Sequence, residues 1–167
     1  LCVKDVTHRS PKFESARLLQ VTARGEKQEK TIYALNEMRI ENVTKTQLMD
    51  IEINGSFFET FRGTGLCLCT QIGSTAYNRS LGGAVIESGL PLLQLSEITG
   101  IHHRAYRSLG SPLILRPESV IKLRSANFEG ALLCYDHLCF NLDQETEIEV
   151  FQSPKQVQIA RYRDLAY

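Results

Sequence analysis

Residues 46–62 constrain the fold more than any other stretch. Leu48, Asp50, Glu52 and Asn54 alternate with Met49, Ile51 and Ile53, the two-residue period of a strand with one buried face. Asn54-Gly55 follows, a pair that accepts the left-handed backbone of a tight hairpin turn. Ser56 to Arg62 then returns, with Phe57, Phe58 and Phe61 as core candidates. Similar short runs recur along the chain. Residues 17–23, 31–40, 66–70, 91–95, 113–115, 120–123, 147–151 and 157–161 read as strands, and 96–103 as a loop. Residues 131–135 and 138–142 form a second hairpin about Asp136-His137. Short strands with regularly spaced turns predict a mainly β domain.

One junction departs from that pattern. Leu66 to Thr70 is apolar and Cys-rich, as a buried strand is. Gly73 supplies a backbone turn, Ser74 or Thr75 caps a helix over residues 76–81, and Gly82-Gly83 ends it. A strand entering a capped helix through a glycine turn aims backbone N–H groups at one spot, which favours phosphate or another anion. Tyr77 offers a flat face to a base. Neither a Walker A loop nor a Gly-x-Gly-x-x-Gly fingerprint is present, and Gly73-Ser74 lacks the second glycine of a nucleophile elbow. Upstream, Asn36-Glu37 closes an apolar strand. It either faces water or, with a carboxylate that accepts two hydrogen bonds, holds a ribose diol.

The 167 residues suit one domain with a real core. Zero formal charge gives no reason to expect nucleic acid or a membrane surface as partner. No apolar run approaches a membrane span, and Lys4, Asp5, His8 and Arg9 interrupt any signal peptide. Five cysteines, Cys2, Cys67, Cys69, Cys134 and Cys139, with apolar neighbours predict reduced, buried thiols and a cytoplasmic location. Cys67 and Cys69 share a strand face, but no histidine sits at a partnering spacing, so no metal site is expected. Residues 1–14 read as a linker or the remnant of a preceding domain. The chain opens without Met, as a fragment or a processed form would, and residues 15–167 form the domain proper.

Gly73-Ser74-Thr75-Ala76-Tyr77-Asn78, followed by Ser80-Leu81-Gly82-Gly83-Ala84, closely resembles the hallmark motif of NAD kinases, nearest to the bacterial Gram-positive type. Ala34-Leu35-Asn36-Glu37, the run from Arg104 to Leu113, and Asp136-His137 fall in the family's order, so the likeness spans about residues 15 to 162. The resemblance implies a C-terminal domain of two packed β-sheets with few short helices. It implies that Asn36, Glu37, Ser74, Thr75, Ala76 and Tyr77 bind NAD. Arg62 and His137 would lie near phosphates, with Arg104 and Arg107 as further candidates. Ile101, His102 and His103 would fall in a loop at subunit contacts of a homodimer or homotetramer. The full-length enzyme would transfer a phosphoryl group from ATP, or polyphosphate, to the adenosine ribose 2′-hydroxyl of NAD, giving NADP with Mg²⁺ as the cation. The family's Gly-Gly-Asp-Gly loop, which carries the catalytic Asp, is absent from this sequence, so little turnover is expected of the chain alone.

Two departures stand inside the motifs. Gly63-Thr64-Gly65 replaces the family's Gly-Asp-Gly, and Gln71 and Ile72 replace a proline and a small hydroxyl residue. They leave room for a non-catalytic scaffold or interaction domain that keeps the fold. A related lipid kinase is a further alternative, although such a protein would lack the Gly-Ser-Thr-Ala-Tyr-Asn string.

Overall fold

A computed structural model describes residues 3–8, 10–101, 109–142 and 144–162. Among them, a six-residue helix α1 (Val3–His8) precedes eleven strands. These are β1 (Lys12–Gly25), β2 (Glu29–Ala34), β3 (Glu37–Glu41), β4 (Gln47–Ile53), β5 (Ser56–Cys69), β6 (Leu93–Gly100), β7 (Leu113–Leu115), β8 (Val120–Arg124), β9 (Ala131–Tyr135), β10 (Leu138–Leu142) and β11 (Glu145–Arg161). A 3-10 turn (Ile72–Thr75) and a one-turn helix α2 (Tyr77–Ser80) interrupt them between β5 and β6. The chain is mainly β, as its alternating runs predict. β1 begins at Lys12, inside the stretch read as a linker.

All eleven strands join one antiparallel sheet, in the order β10-β9-β3-β5-β4-β8-β11-β1-β2, with β6 on β5 and β7 on β6. The two layers expected from the sequence are parts of this single curled surface. Connectivity enforces the curl. β2 ends the strand order and β3 stands third from the other end, yet only Leu35 and Asn36 connect them. The sheet must therefore bend back nearly to closure. Its two ends meet where Lys30 Nζ of β2 lies 3.6 Å from the centroid of the Phe140 ring of β10, a cation–π contact.

Curling places one apolar face inside. Leu19, Met38, Ile40, Met49, Ile51 and Leu133 are fully buried there, in one cluster with Leu66, Leu68, Leu123 and Val150. The alternation of β4 comes out as read, with Met49 and Ile51 inside and Leu48 and Asp50 outside. Asn54 and Gly55 both take positive φ, 53° and 80°, as a tight hairpin requires. Of the three phenylalanines, only Phe61 is core. Phe57 and Phe58 are exposed at the hairpin end, past the bulge in the β4–β5 ladder at Ile51 and Glu52.

Other boundaries differ for identifiable reasons. The run 31–40 is two strands, because the chain crosses between the sheet's ends at Leu35-Asn36. β6 continues to Gly100 through residues read as a loop, since Ser96 and Glu97 pair with Cys67 and Leu66. Two expected strands fuse into β11. Pro154, which has no N–H to give to a ladder, sits in the register shift between Gln152 and Gln156. Cys139 is exposed, against the expectation of buried thiols, while Cys67, Cys69 and Cys134 are buried. Cys2 lies outside the described residues.

Gly65 shows how closely β3 and β5 approach. A Cβ there would lie 1.8 Å from the Ile40 carbonyl oxygen. Gly65→Ala is expected to destabilise the chain by about 1–3 kcal/mol through forced backbone movement, measured as a lower urea midpoint. An unchanged midpoint would show that the β3–β5 ladder yields without cost.

Candidate nucleotide-binding site

The site grows from the Leu35-Asn36 crossing. Both amides donate to one carboxylate, Leu35 N to Asp136 Oδ2 at 2.8 Å and Asn36 N to Asp136 Oδ1 at 2.7 Å. Asp136 leads the β9–β10 turn with φ 48°, a conformation Asp tolerates better than most residues, and its own N–H donates to the Glu37 carbonyl at 3.1 Å. Thr70 holds the crossing from the other side. Its N–H donates to the Asn36 carbonyl at 2.9 Å, and its hydroxyl donates to the Leu35 carbonyl at 2.7 Å while accepting from Gly73 N at 3.1 Å. This brings Asn36-Glu37, Asp136-His137 and the 72–78 segment together, three of the four motifs singled out in the sequence. The fourth, residues 104–113, lies largely outside the described residues, which exclude His102, His103, Arg104 and Arg107.

The 72–78 segment differs from its sequence reading. The expected helix over 76–81 is one α-turn preceded by a 3-10 turn, and Ser74 and Thr75, the expected caps, instead donate back to Gln71 O and Ile72 O. The first amides are engaged within the segment, Gly73 N with Thr70 Oγ1, Ser74 N with Gln71 O and Ala76 N with Gly73 O. They do not form the free N–H cluster expected for an anion. Gly73 is needed for close approach rather than for an unusual φ, since a Cβ would lie 2.0 Å from the Asn36 carbonyl oxygen. Ser74, fully buried, donates to Gln71 O and accepts from Ile86 N at 3.0 Å. Thr75 is exposed, and Ala76 and Tyr77 are half-buried. Asn78 is the internal tie, donating to Ser74 O and accepting from the Ser96 hydroxyl at 2.9 Å.

Glu37 is the electrostatic centre. Only 5% of it is exposed, and its Oε2 has no hydrogen-bond partner among the described residues. Burial pushes its carboxyl above the usual range. Arg39 pulls the other way, and the nearby Asp136 charge adds to the rise. An orphaned buried carboxylate oxygen carries a desolvation cost that a donor from a ligand would relieve.

Arg39 and Glu41 project from the same face of β3 as Glu37, and sequence reasoning missed both. The Arg39 guanidinium lies 4.0 Å from the Tyr77 ring centroid and pairs with Glu41 at 2.5 Å. Burial disfavours its charge, but Glu41 and Tyr77 more than offset this and hold it above its ordinary value. Burial and the Glu41 charge push the Tyr77 phenol up. The i, i+2 spacing of Glu37, Arg39 and Glu41 was the available signal.

Arg62 and Ile101 are brought to each other, Ile101 N donating to Arg62 O at 2.8 Å. They are not brought to Glu37. Arg62 stands seven residues along β5 from Cys69, the ladder partner of Glu37, which is about 23 Å of strand. His137 is exposed on the turn beside Asp136. Ile72 joins Arg17, Thr70, Gln71 and Gln152 around a cleft of ≈ 250 Å³ next to the site. Among the described residues, no three His, Cys, Asp or Glu side chains gather as a metal site, and no helix is long and apolar enough to cross a membrane.

The curled antiparallel sheet thus presents, on one face of β3, the buried Glu37 carboxylate followed by Arg39 with the Tyr77 ring against it. The family model described as the ATP-NAD kinase C-terminal domain matches residues 35–162, and the chain belongs to that family. It is 38% identical to an NAD kinase of Lactobacillus gasseri over 96% of this chain and 61% of the relative. It is likewise 38% identical to one of Geobacillus stearothermophilus over 90% and 56%. The chain thus spans somewhat over half the length of the curated relatives it matches. Yeast NADH kinase complexed with NADH shares the fold with a TM-score of 0.79 at 24% identity, over 90% of this chain and 45% of that one. An Archaeoglobus fulgidus NAD kinase in complex with ATP shares it at 0.68 and 24%, over 90% and 55%.

Glu37 sets a pH dependence. Unfolded, it ionises at the ordinary glutamate value, and folded, at a higher one. Between the two the folded state binds more protons, so this contribution to stability falls as pH rises through that window. Glu37→Gln, which cannot ionise, is expected to gain on the parent chain from acid to neutral pH, read from urea midpoints. A constant gap would show that Glu37 titrates alike folded and unfolded. Asp136→Ala is expected to cost about 2–4 kcal/mol by removing two charge-assisted hydrogen bonds, read from the same midpoints.

Proposed function

We propose that this chain is the NAD-binding and oligomerising part of an NAD kinase. The observation that carries the reading is the Glu37 Oε2, unpartnered among the described residues, next to Asn36 in sequence and two residues along β3 from Arg39, which lies against the Tyr77 ring. In this reading the Glu37 carboxylate accepts two hydrogen bonds from a ribose diol of NAD, with Asn36 donating and accepting alongside. Thr75 and Ala76 frame the adenosine. Tyr77 stacks on the nucleotide with the face that Arg39 leaves open, and Ser74 holds the frame from beneath. His137 approaches the phosphates from its turn. Arg62, far along β5, and Ile101, just past the end of β6, serve the site of a second copy in a homodimer or homotetramer.

The complete enzyme would transfer the γ-phosphoryl group of ATP, or a phosphoryl group of polyphosphate, to the adenosine ribose 2′-hydroxyl of NAD. Mg²⁺, arriving with the donor's phosphates, would neutralise their charge. The general base would be the Asp of a Gly-Gly-Asp-Gly loop, a motif these 167 residues do not contain. The chain alone is therefore expected to bind and not to turn over. The reading places it in the cytoplasm, where NAD and ATP are found.

Calorimetric titration of the chain with NAD and with NADP tests this. Saturable binding is expected, at least about ten-fold weaker in Glu37→Ala, equivalent to about 1.4 kcal/mol, and similarly weakened in Tyr77→Ala. Absence of binding up to millimolar ligand by a folded oligomer would sink the binding reading. It would favour the scaffold alternative, to which Thr64 and Ile72 already point.

A further inference from the structure

We propose that Cys134 and Cys139 form a reversible disulfide site directly behind the turn that carries Asp136 and His137. The two are ladder partners on β9 and β10, both free thiols, Cys139 exposed and Cys134 8% exposed. Tyr135 and Leu138 close a two-residue turn, which makes them a hydrogen-bonded pair. The alternation of an antiparallel ladder then makes Cys134–Cys139 a non-hydrogen-bonded pair, with Cα atoms about 4.5 Å apart and side chains at their closest. That separation falls within the span a disulfide bridges. Cys139 is also among the groups close enough to act on the Cys134 thiol. The other described cysteines lack this geometry. Cys67 and Cys69 lie two apart on one strand and are fully buried, and Arg39 separates Cys67 from Cys134 across the sheet.

The chemistry needs a small-molecule disulfide, RSSR, as oxidant. Exposed Cys139, as thiolate, attacks one sulfur of RSSR and releases RS⁻. Cys134 loses its proton and attacks the Cys139 sulfur, expelling the second RS⁻. The protein dithiol is oxidised to a disulfide, and RSSR is reduced to two RSH.

The turn feels the bond. A disulfide draws the Cβ atoms to about 3.8 Å from the roughly 4.5–5.5 Å of an ordinary cross-strand pair. Asp136 follows two residues after Cys134, and its bonds to the Leu35 and Asn36 amides, at 2.8 and 2.7 Å, leave little slack. Oxidation therefore loosens the hold on the Asn36-Glu37 crossing. An effect on NAD affinity rests on the reading above, whereas the disulfide and the loosened crossing do not.

The experiment uses the 167-residue chain, with oxidised glutathione as probe. Cys134 and Cys139 are the two cysteines of the tryptic fragment 125–155. From reduced protein, denatured before alkylation, that fragment should take two alkyl groups. After equilibration with the probe it should take none and be two hydrogens lighter, with dithiothreitol restoring it. The Leu35 and Asn36 amides should exchange hydrogen about ten-fold faster in the oxidised chain, and Cys139→Ser should show no probe-dependent change in that exchange. A fragment that stays fully alkylatable, or carries glutathione alone, overturns the disulfide site. A disulfide with unchanged exchange at both amides overturns the coupling. Failure of the reduced chain to bind NAD counts against the NAD reading and leaves both of these results standing.

Discussion

The carboxylate of Asp136 holds two backbone amides at one of the two short connections by which the chain passes between the ends of its sheet, β2 to β3, the other being β10 to β11. Much else depends on that clasp. Leu35 and Asn36 are all the chain there is between β2 and β3, so their position fixes how far the sheet bends back. The same two residues lead directly into Glu37, so the curvature of the fold and the aim of its central acid are set together. Thr70 repeats the logic from the opposite side, tying the crossing to the segment that carries Tyr77. A candidate site assembled this way needs no loop of its own, because it lies where the architecture already concentrates its hydrogen bonds.

Glu37 shows a tension typical of such sites. Its burial works against folding at neutral pH, and nothing within the described chain offsets this at Oε2. Arg39 eases it through charge while being committed to Glu41 and the Tyr77 ring. One strand face thus carries acid, base and acid in succession, with the aromatic ring laid over the middle member.

Much of this was legible in the sequence, and the exceptions have causes. The hairpins at Asn54-Gly55 and Asp136-His137 were readable because tight turns demand particular residues. The alternation of Leu48 to Asn54 was readable because one face meets water. The break at Leu35-Asn36 was not, because it answers to a carboxylate 100 residues away. The helix expected after Gly73 shrank because Asn78 and Ser74 bind backbone that a longer helix would have displaced. Asn36, Glu37 and Tyr77 could be picked out by motif, but Arg39 could not. Its role appears only once β5 and β9 flank it and α2 lies above it. Arg62 was read with His137 and Ile101 with the loop that follows it, and no local pattern shows that strand length carries Arg62 away from Glu37.

The meeting of Lys30 with Phe140 has a consequence for the life of the chain among its own copies. β2 and β10 are the terminal strands of the main sheet path, and a terminal strand presents unpaired peptide groups that invite another chain to add on. Here the two termini converge on each other, and the residue at their junction is a lysine, a charge that neighbouring strands avoid burying. The bend that brings Asn36-Glu37 to Asp136 also turns the two margins of that path toward one another. Among the described strands, β7, which pairs with β6 alone, is the margin left outside that convergence.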